Sequence, residues 1–214
     1  MKNLSKLYEM SDRGDCYFDG FASEKSEYLD TSDLDLDQMI ARCHLCSLAK
    51  KRRVAFAGKG SRKAKIMVVI EEPNIHENND GAWFRGASGE LARNMIEKGM
   101  RLNVEEIYLT AAVKCHSFGG DLGESLSRCK PYLDAEIEAL KPIVILALGE
   151  IAFFALTGSS ERIEAARGRL WRCALETSEA MVAPSFSLGH LRRNPSAKKA
   201  AYEDLKLALS ALGK

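Results

Sequence analysis

Four short apolar runs, each followed by a stretch of helical character, constrain the fold of this chain more than any other feature. Ile66–Ile70 (IMVVI) and residues 107–113, 143–148 and 180–184 are short enough for strands and apolar enough to be buried on both faces. A polar loop and a helix near residues 90–98 follow the first run, and a helix through 126–140, stopped by Pro142, follows the second. After the third run Gly149 turns the chain into a helix over 150–156, and after the fourth a C-terminal helix starts at about Ser196. Upstream, a helix from Thr31, capped by Ser32 or Asp33 and apolar at Leu34, Met39 and Ile40, is expected to run into Cys43 and Cys46. Strands alternating with helices pair in parallel and place helices on both faces. The expected fold is therefore α/β, three layers α/β/α around a central, mostly parallel four-stranded sheet, with residues 31–214 as one domain. Ligands in such sheets bind at the carboxyl ends of the strands, so the loops starting at Glu71, Lys114 and Ser185 are the places to look.

The net charge of +1 conceals an asymmetry, because residues 1–38 hold ten acidic and four basic side chains. Residues 1–30 read as an acidic, weakly ordered extension without periodicity. A basic run follows further on, with Lys50, Lys51, Arg52, Arg53, Lys59, Arg62, Lys63 and Lys65, and a second group contains Arg192, Arg193, Lys198 and Lys199. Such clusters suit a phosphate backbone, or they are simply a solvated surface. No apolar run approaches the roughly 20 residues that span a bilayer, and the N-terminus has no apolar signal core. A cytoplasmic monomer with no membrane partner is expected. Gly58, Lys59, Gly60 and Ser61 lack the upstream glycine of a phosphate-binding P-loop.

Of the six cysteines, Cys43, Cys46, Cys115 and Cys129 form a pattern, while Cys16 and Cys173 stand apart. A reducing compartment argues against disulfides. A CxxC pair plus two distant cysteines gives four soft thiolate ligands, which select zinc or an iron–sulfur cluster. Zinc ribbons usually carry two close pairs. The wider spacing of Cys115 and Cys129 leans towards a [4Fe–4S] cluster.

The strings around these cysteines, ARCHLCSLAK from Ala41, VKC ending at Cys115 and CKPYL from Cys129, resemble the cluster-binding segments of family 4 uracil-DNA glycosylases. The resemblance continues through Gly81–Gly89 (GAWFRGASG), where Trp83 replaces a proline of the family loop, through Lys141–Gly149 (KPIVILALG), and through Arg193-Asn194-Pro195. It covers roughly residues 38–212 and implies the uracil-DNA glycosylase fold, with a [4Fe–4S] cluster on Cys43, Cys46, Cys115 and Cys129 that supports the DNA surface. It implies DNA, double- or single-stranded, as partner, with Arg52, Arg53, Arg192 and Arg193 gripping phosphates and Leu191 wedging into the duplex.

For the chemistry, a glycosylase extrudes a base, stacks it on an aromatic ring, reads its edge and activates water with a carboxylate. Glu71 matches the family glutamate. Glu72 occupies the place of the water-activating aspartate of family 1, and the two acids are not separable from sequence. Phe84 matches the stacking ring, and Asn74, Asn79, Asp80 and Trp83 flank the same pocket. Two positions depart from the family. Ala111 stands where an asparagine reads the uracil edge, and Ser187 stands where the catalytic histidine is expected. His190, three residues on, is either a substitute for that histidine or a phosphate contact. The loss of a base-reading amide argues against plain uracil. The reading is a glycosylase for a damaged or modified base. The alternative is a non-catalytic iron–sulfur DNA-binding protein of the same fold.

Overall fold

The structure is a computed structural model that describes residues 33–120 and 122–213. The N-terminal extension, Cys16 and the Ser32 cap fall outside the described residues. The sheet forms where the sequence carries its apolar runs. Strands β1 (Lys59–Gly60), β2 (Ile66–Ile70), β3 (Tyr108–Ala111), β4 (Val144–Leu148), β5 (Trp171–Arg172) and β6 (Met181–Ser185) lie in the order β1-β3-β2-β4-β6-β5. The four inner strands are parallel, with Val69 opposite Thr110 and Ala147, and Leu146 opposite Ala183. The two-residue edge strands pair antiparallel, which adds a short rim on each side of the expected four-stranded sheet. Every residue of β2, β3 and β4 is buried, as sheets covered on both faces require. Pro184 is tolerated within β6 because β5 pairs only with Met181 and Val182, so no ladder bond is lost there.

Helices α1 (Asp33–Ala41), α2 (Ile75–Asp80), α3 (Gly86–Asn94), α4 (Gly123–Leu140), α5 (Glu150–Thr157), α6 (Ile163–Ala166), α7 (Leu188–Arg193) and α8 (Lys198–Ser210) connect and cover the sheet, and α3 continues into a π-helical turn, Met95–Met100. α4 ends where expected, since Lys141 takes a left-handed conformation and Pro142 cannot continue the helix. α1 stops at Ala41 instead of reaching the cysteines, and Cys46 is extended before a single 3-10 turn, Ser47–Lys50. Among the described residues no helix is long and apolar enough to cross a membrane.

The first of the parallel strands, β2, lies inside the sheet between β3 and β4. β2 leads outward to β3, and the chain then returns to place β4 on the other side of β2. This reversal leaves a crevice at the carboxyl end of β2, the general binding position of such sheets. Beyond β3, Ala112 and Val113 still donate to the carbonyls of Ile70 (2.8 Å) and Glu71 (3.0 Å), so the chain stays beside β2 as it bends towards Cys115.

A buried ion pair closes the structure behind that bend. Lys114 Nζ bonds Glu136 Oε2 at 2.6 Å, Thr110 Oγ1 at 2.8 Å and the Ala111 carbonyl at 2.8 Å. Glu136 also accepts from Thr110 (2.8 Å), the Gly58 amide (2.9 Å) and the Tyr108 hydroxyl (3.4 Å). Removing one partner of such a pair leaves the other buried and uncompensated, which costs about 3–5 kcal/mol. Lys114→Met should therefore lower stability in urea by about that amount, and adding Glu136→Leu should recover much of it. An unchanged urea midpoint in the single variant would show that the pair holds nothing.

Candidate active site

At the carboxyl end of β2 a cleft of about 200 Å³ is lined by Glu71, Glu72, Asn74, Glu77, Ser88 and His116, closed by Leu188 and Gly189. It is smaller than the roughly 300–1,000 Å³ of drug-sized pockets, a size that suits a small ligand or one ring of a larger one. Two acids dominate it. Glu71 lies against Gly149, where a Cβ would come within 2.4 Å of its carboxyl group, and it accepts from the Ile151 amide at 3.3 Å in the first turn of α5. Burial pushes its carboxyl up to about 7; the Ile151 bond opposes this, and the neighbouring Glu150 and Glu72 charges add to it. Glu72 is clamped by Ser117, whose amide (2.5 Å) and hydroxyl (2.9 Å) donate to its two oxygens. Burial raises its carboxyl too, against the Ser117 bonds and the nearby His116. His116 Nδ1 lies 2.9 Å from the Pro73 carbonyl and 3.7 Å from Glu72. Because a carbonyl only accepts, Nδ1 carries the proton in that contact.

The other expected residues are distributed differently. Asn74 lines the cleft, but its Oδ1 caps α2 by accepting from the amides of His76 (2.9 Å) and Glu77 (3.1 Å), and its Nδ2 donates to the Arg85 carbonyl (3.0 Å). Phe84 sits at a left-handed φ of 65° with the Arg93 guanidinium 4.8 Å above its ring. Glu77 fixes that conformation by accepting the Phe84 amide (3.0 Å) while completing the cap at the Asn74 amide (2.9 Å). Asp80 is exposed beside Arg85, and Ala111 is fully buried at the end of β3. Ser187 caps α7 by accepting the His190 amide at 3.2 Å. The His190 ring stacks on Phe186, 4.6 Å away and nearly parallel, and does not line the cleft. Leu191 is 1% exposed and packs inward, so the expected duplex wedge is part of the core. Its burial follows from α7, which turns Leu188 and Leu191 to one face and leaves Arg192 and Arg193 exposed.

Glu77, His116 and Ser117 were missed by the motif reading. Asn74-x-x-Glu77 is a legible capping box, and His116 and Ser117 lie in the strand-end loop that begins at Lys114.

The four patterned cysteines gather on the far side of that loop. Cys115 and Cys129 are buried, and Cys43 and Cys46 are partly so. Arg52 donates to Cys115 Sγ at 3.3 Å, the Lys114 amide to Cys129 Sγ at 3.4 Å and the Ser125 hydroxyl to Cys46 Sγ at 3.6 Å; Tyr132 hydrogen-bonds to Cys43. Burial pushes the Cys115 thiol up to about 11 and the Cys129 thiol up to about 12, and the neighbouring cysteines add to both shifts. Among the described residues no three His, Cys, Asp or Glu side chains are grouped so as to hold a metal ion. As a donor set, four thiols with hydrogen bonds directed at their sulfurs fit a thiolate-held cluster. Arg52 also reaches the Cys43 carbonyl, so its guanidinium serves the cysteine site rather than the expected phosphate. Arg53 braces α2 through the Asn78 side chain and the Asn79 carbonyl.

A crevice lies at the switch point of a parallel sheet, with paired acids at one strand end and four cysteines near the next. The sequence pattern of the Uracil DNA glycosylase superfamily matches residues 57–206, and the chain belongs to that superfamily. It is similar to the type-4 uracil-DNA glycosylase of Saccharolobus solfataricus, 30% identical over 190 residues that cover 86% of this chain and 88% of the relative. The type-4 uracil-DNA glycosylase of Thermotoga maritima is 29% identical over 84% of this chain and 94% of its own length. A type-5 uracil-DNA glycosylase of Pyrobaculum aerophilum is 30% identical over 45% of this chain and 50% of its own length.

Because its carboxyl group is raised from 4.5 to about 7 by burial, Glu71 opposes folding once the unfolded chain can release that proton. Its cost is absent below about pH 4.5, grows as pH rises and is complete above about pH 7, on the order of 3 kcal/mol. Glu71→Gln should stabilise the protein in urea at pH 8 by up to that amount, with the gain vanishing near pH 4.5. A gain that is the same at both pH values would refute the assignment.

Proposed function

We propose that this chain is a DNA glycosylase that extrudes a damaged or modified base other than plain uracil and hydrolyses its N-glycosidic bond. The observation that carries the reading is the acid pair, Glu71 and Glu72, set side by side in a ring-sized cleft with Glu72 clamped by Ser117. A carboxylate fixed in this way accepts a proton from the attacking water, and its neighbour's charge stabilises the cation that forms on the sugar. Burial raises both carboxyl groups, which strengthens them as proton acceptors once they are ionised. Ala111 and Ser187 supply neither the amide nor the imidazole that the family resemblance leads one to expect, so the base is recognised by other groups at the cleft wall. Exposed Arg192 and Arg193, on the helix whose start lines the cleft, hold the phosphate backbone of double- or single-stranded DNA. The chain acts as a cytoplasmic monomer.

Cys43, Cys46, Cys115 and Cys129 would hold a [4Fe–4S] cluster. Bound there, the cluster supplies a rigid anchor for the loop after Cys115 and no step of the hydrolysis. Protein purified without oxygen should contain about four irons per chain, and Cys115→Ser should bleach it. Zinc in place of iron would refute the cluster.

The chemistry is tested on a panel of DNAs carrying deaminated, oxidised, alkylated and 5-substituted bases, scored for abasic sites. Release of some base other than uracil is expected, with Glu72→Gln losing about a hundred-fold or more. Because catalysis needs ionised carboxylates, kcat/KM should climb as pH passes through about 7, and Glu71→Gln should remove that rise. Robust uracil excision would overturn the specificity, and full activity in the Glu71→Gln, Glu72→Gln double variant would overturn the mechanism.

A further inference from the structure

We propose that Phe118 is the residue this chain inserts into duplex DNA to fill the space vacated by the extruded nucleotide, an inference that rests on the glycosylase reading above. Base extrusion from a duplex calls for an apolar group that enters the stack. Leu191, which the family resemblance assigns to that task, is 1% exposed and faces inward, lining a cavity with Leu91, Met95 and Leu205, so it cannot reach DNA without leaving its buried place.

Phe118 is 44% exposed, three residues beyond Cys115 in the loop that supplies His116 to the cleft. Its ring meets the His116 ring edge-on, 4.7 Å away, which places it at the cleft rim. The loop beneath it is firmly held. Ser117 is bound to Glu72, the Gly120 amide closes a turn on the Ser117 carbonyl (3.0 Å), and the Gly119 amide donates to Ser117 Oγ (3.2 Å). Phe118 and Gly119 occupy the two central positions of that turn with φ of 56° and 81°. A turn with positive φ at both positions favours Asn or Asp followed by Gly, and a bulky aromatic residue there is an outlier. Neither folding nor solubility gains from an exposed ring on a strained turn tip. Such an outlier beside a site is where function is to be sought.

The turn itself provides the test. Phe118→Asn suits the backbone better and should leave the protein as stable as the parent or more so, whereas loss of a structural ring would destabilise it. Binding is measured to a duplex carrying 2-aminopurine beside a mismatch and to the same strand alone. The parent should raise 2-aminopurine emission on the duplex. Phe118→Asn should lose that rise and on the order of ten-fold in duplex affinity, keep its single-strand affinity, and be rescued by Phe118→Leu. Undiminished emission with Phe118→Asn would overturn the proposal while leaving the glycosylase reading intact. Equal loss on duplex and single strand would assign Phe118 to general base stacking and also overturn it. A parent that binds neither DNA would overturn both readings.

Discussion

The Lys114–Glu136 pair is the interaction on which the rest of the structure turns. It lies in an apolar interior where charges are expensive, and it is tolerable because each member is surrounded by partners. Glu136 takes four protein donors and Lys114 Nζ reaches three acceptors. Those partners come from β3, from the segment before β1 and from α4, so the pair fixes three elements that are remote in sequence. Lys114 immediately precedes Cys115, and Glu136 lies two helical turns beyond Cys129, on the same face of α4. The ion pair therefore sets the approach of the two buried cysteines.

From Cys115 the same constraint passes to the cleft. Two residues on, Ser117 grips Glu72, and between them His116 bonds the Pro73 carbonyl. The loop is thus pinned on the cysteine side by its burial and on the cleft side by three hydrogen bonds to the β2 end. The proposed cluster would, on this arrangement, brace the wall of the proposed active-site cleft. Whatever holds Cys115 also holds the acid opposite, although no cysteine lines the cleft.

The parallel sheet was legible because strands buried on both faces must be continuously apolar, as IMVVI and VILAL are. The two edge strands were not, since two residues carry no periodicity. The acids Glu71 and Glu72 were legible from their place after a strand, and the four cysteines from their spacing. What escaped was direction. A string such as Leu188–Arg193 shows which residues are present, but only the helix shows which of them face inward. Arg52 likewise reads as one more cation in a basic run, whereas its contact with Cys115, 63 residues away, depends on the fold.

Ser187 shows how one residue type redirects a whole loop. A short hydroxyl before Leu188 is a good helix N-cap, and it accepts the His190 amide in that role. The cap favours one and a half turns of helix, and helical spacing then puts residues 188 and 191 on one side. Both are buried, while the ring of His190 stacks on Phe186 below the Arg167 guanidinium. In an extended loop, by contrast, successive residues alternate between faces, and Leu191 and His190 would be free to reach a ligand. The presence of serine at this position therefore does more than omit an imidazole. It commits the neighbouring leucine to the core and leaves Arg192 and Arg193 as the outward face.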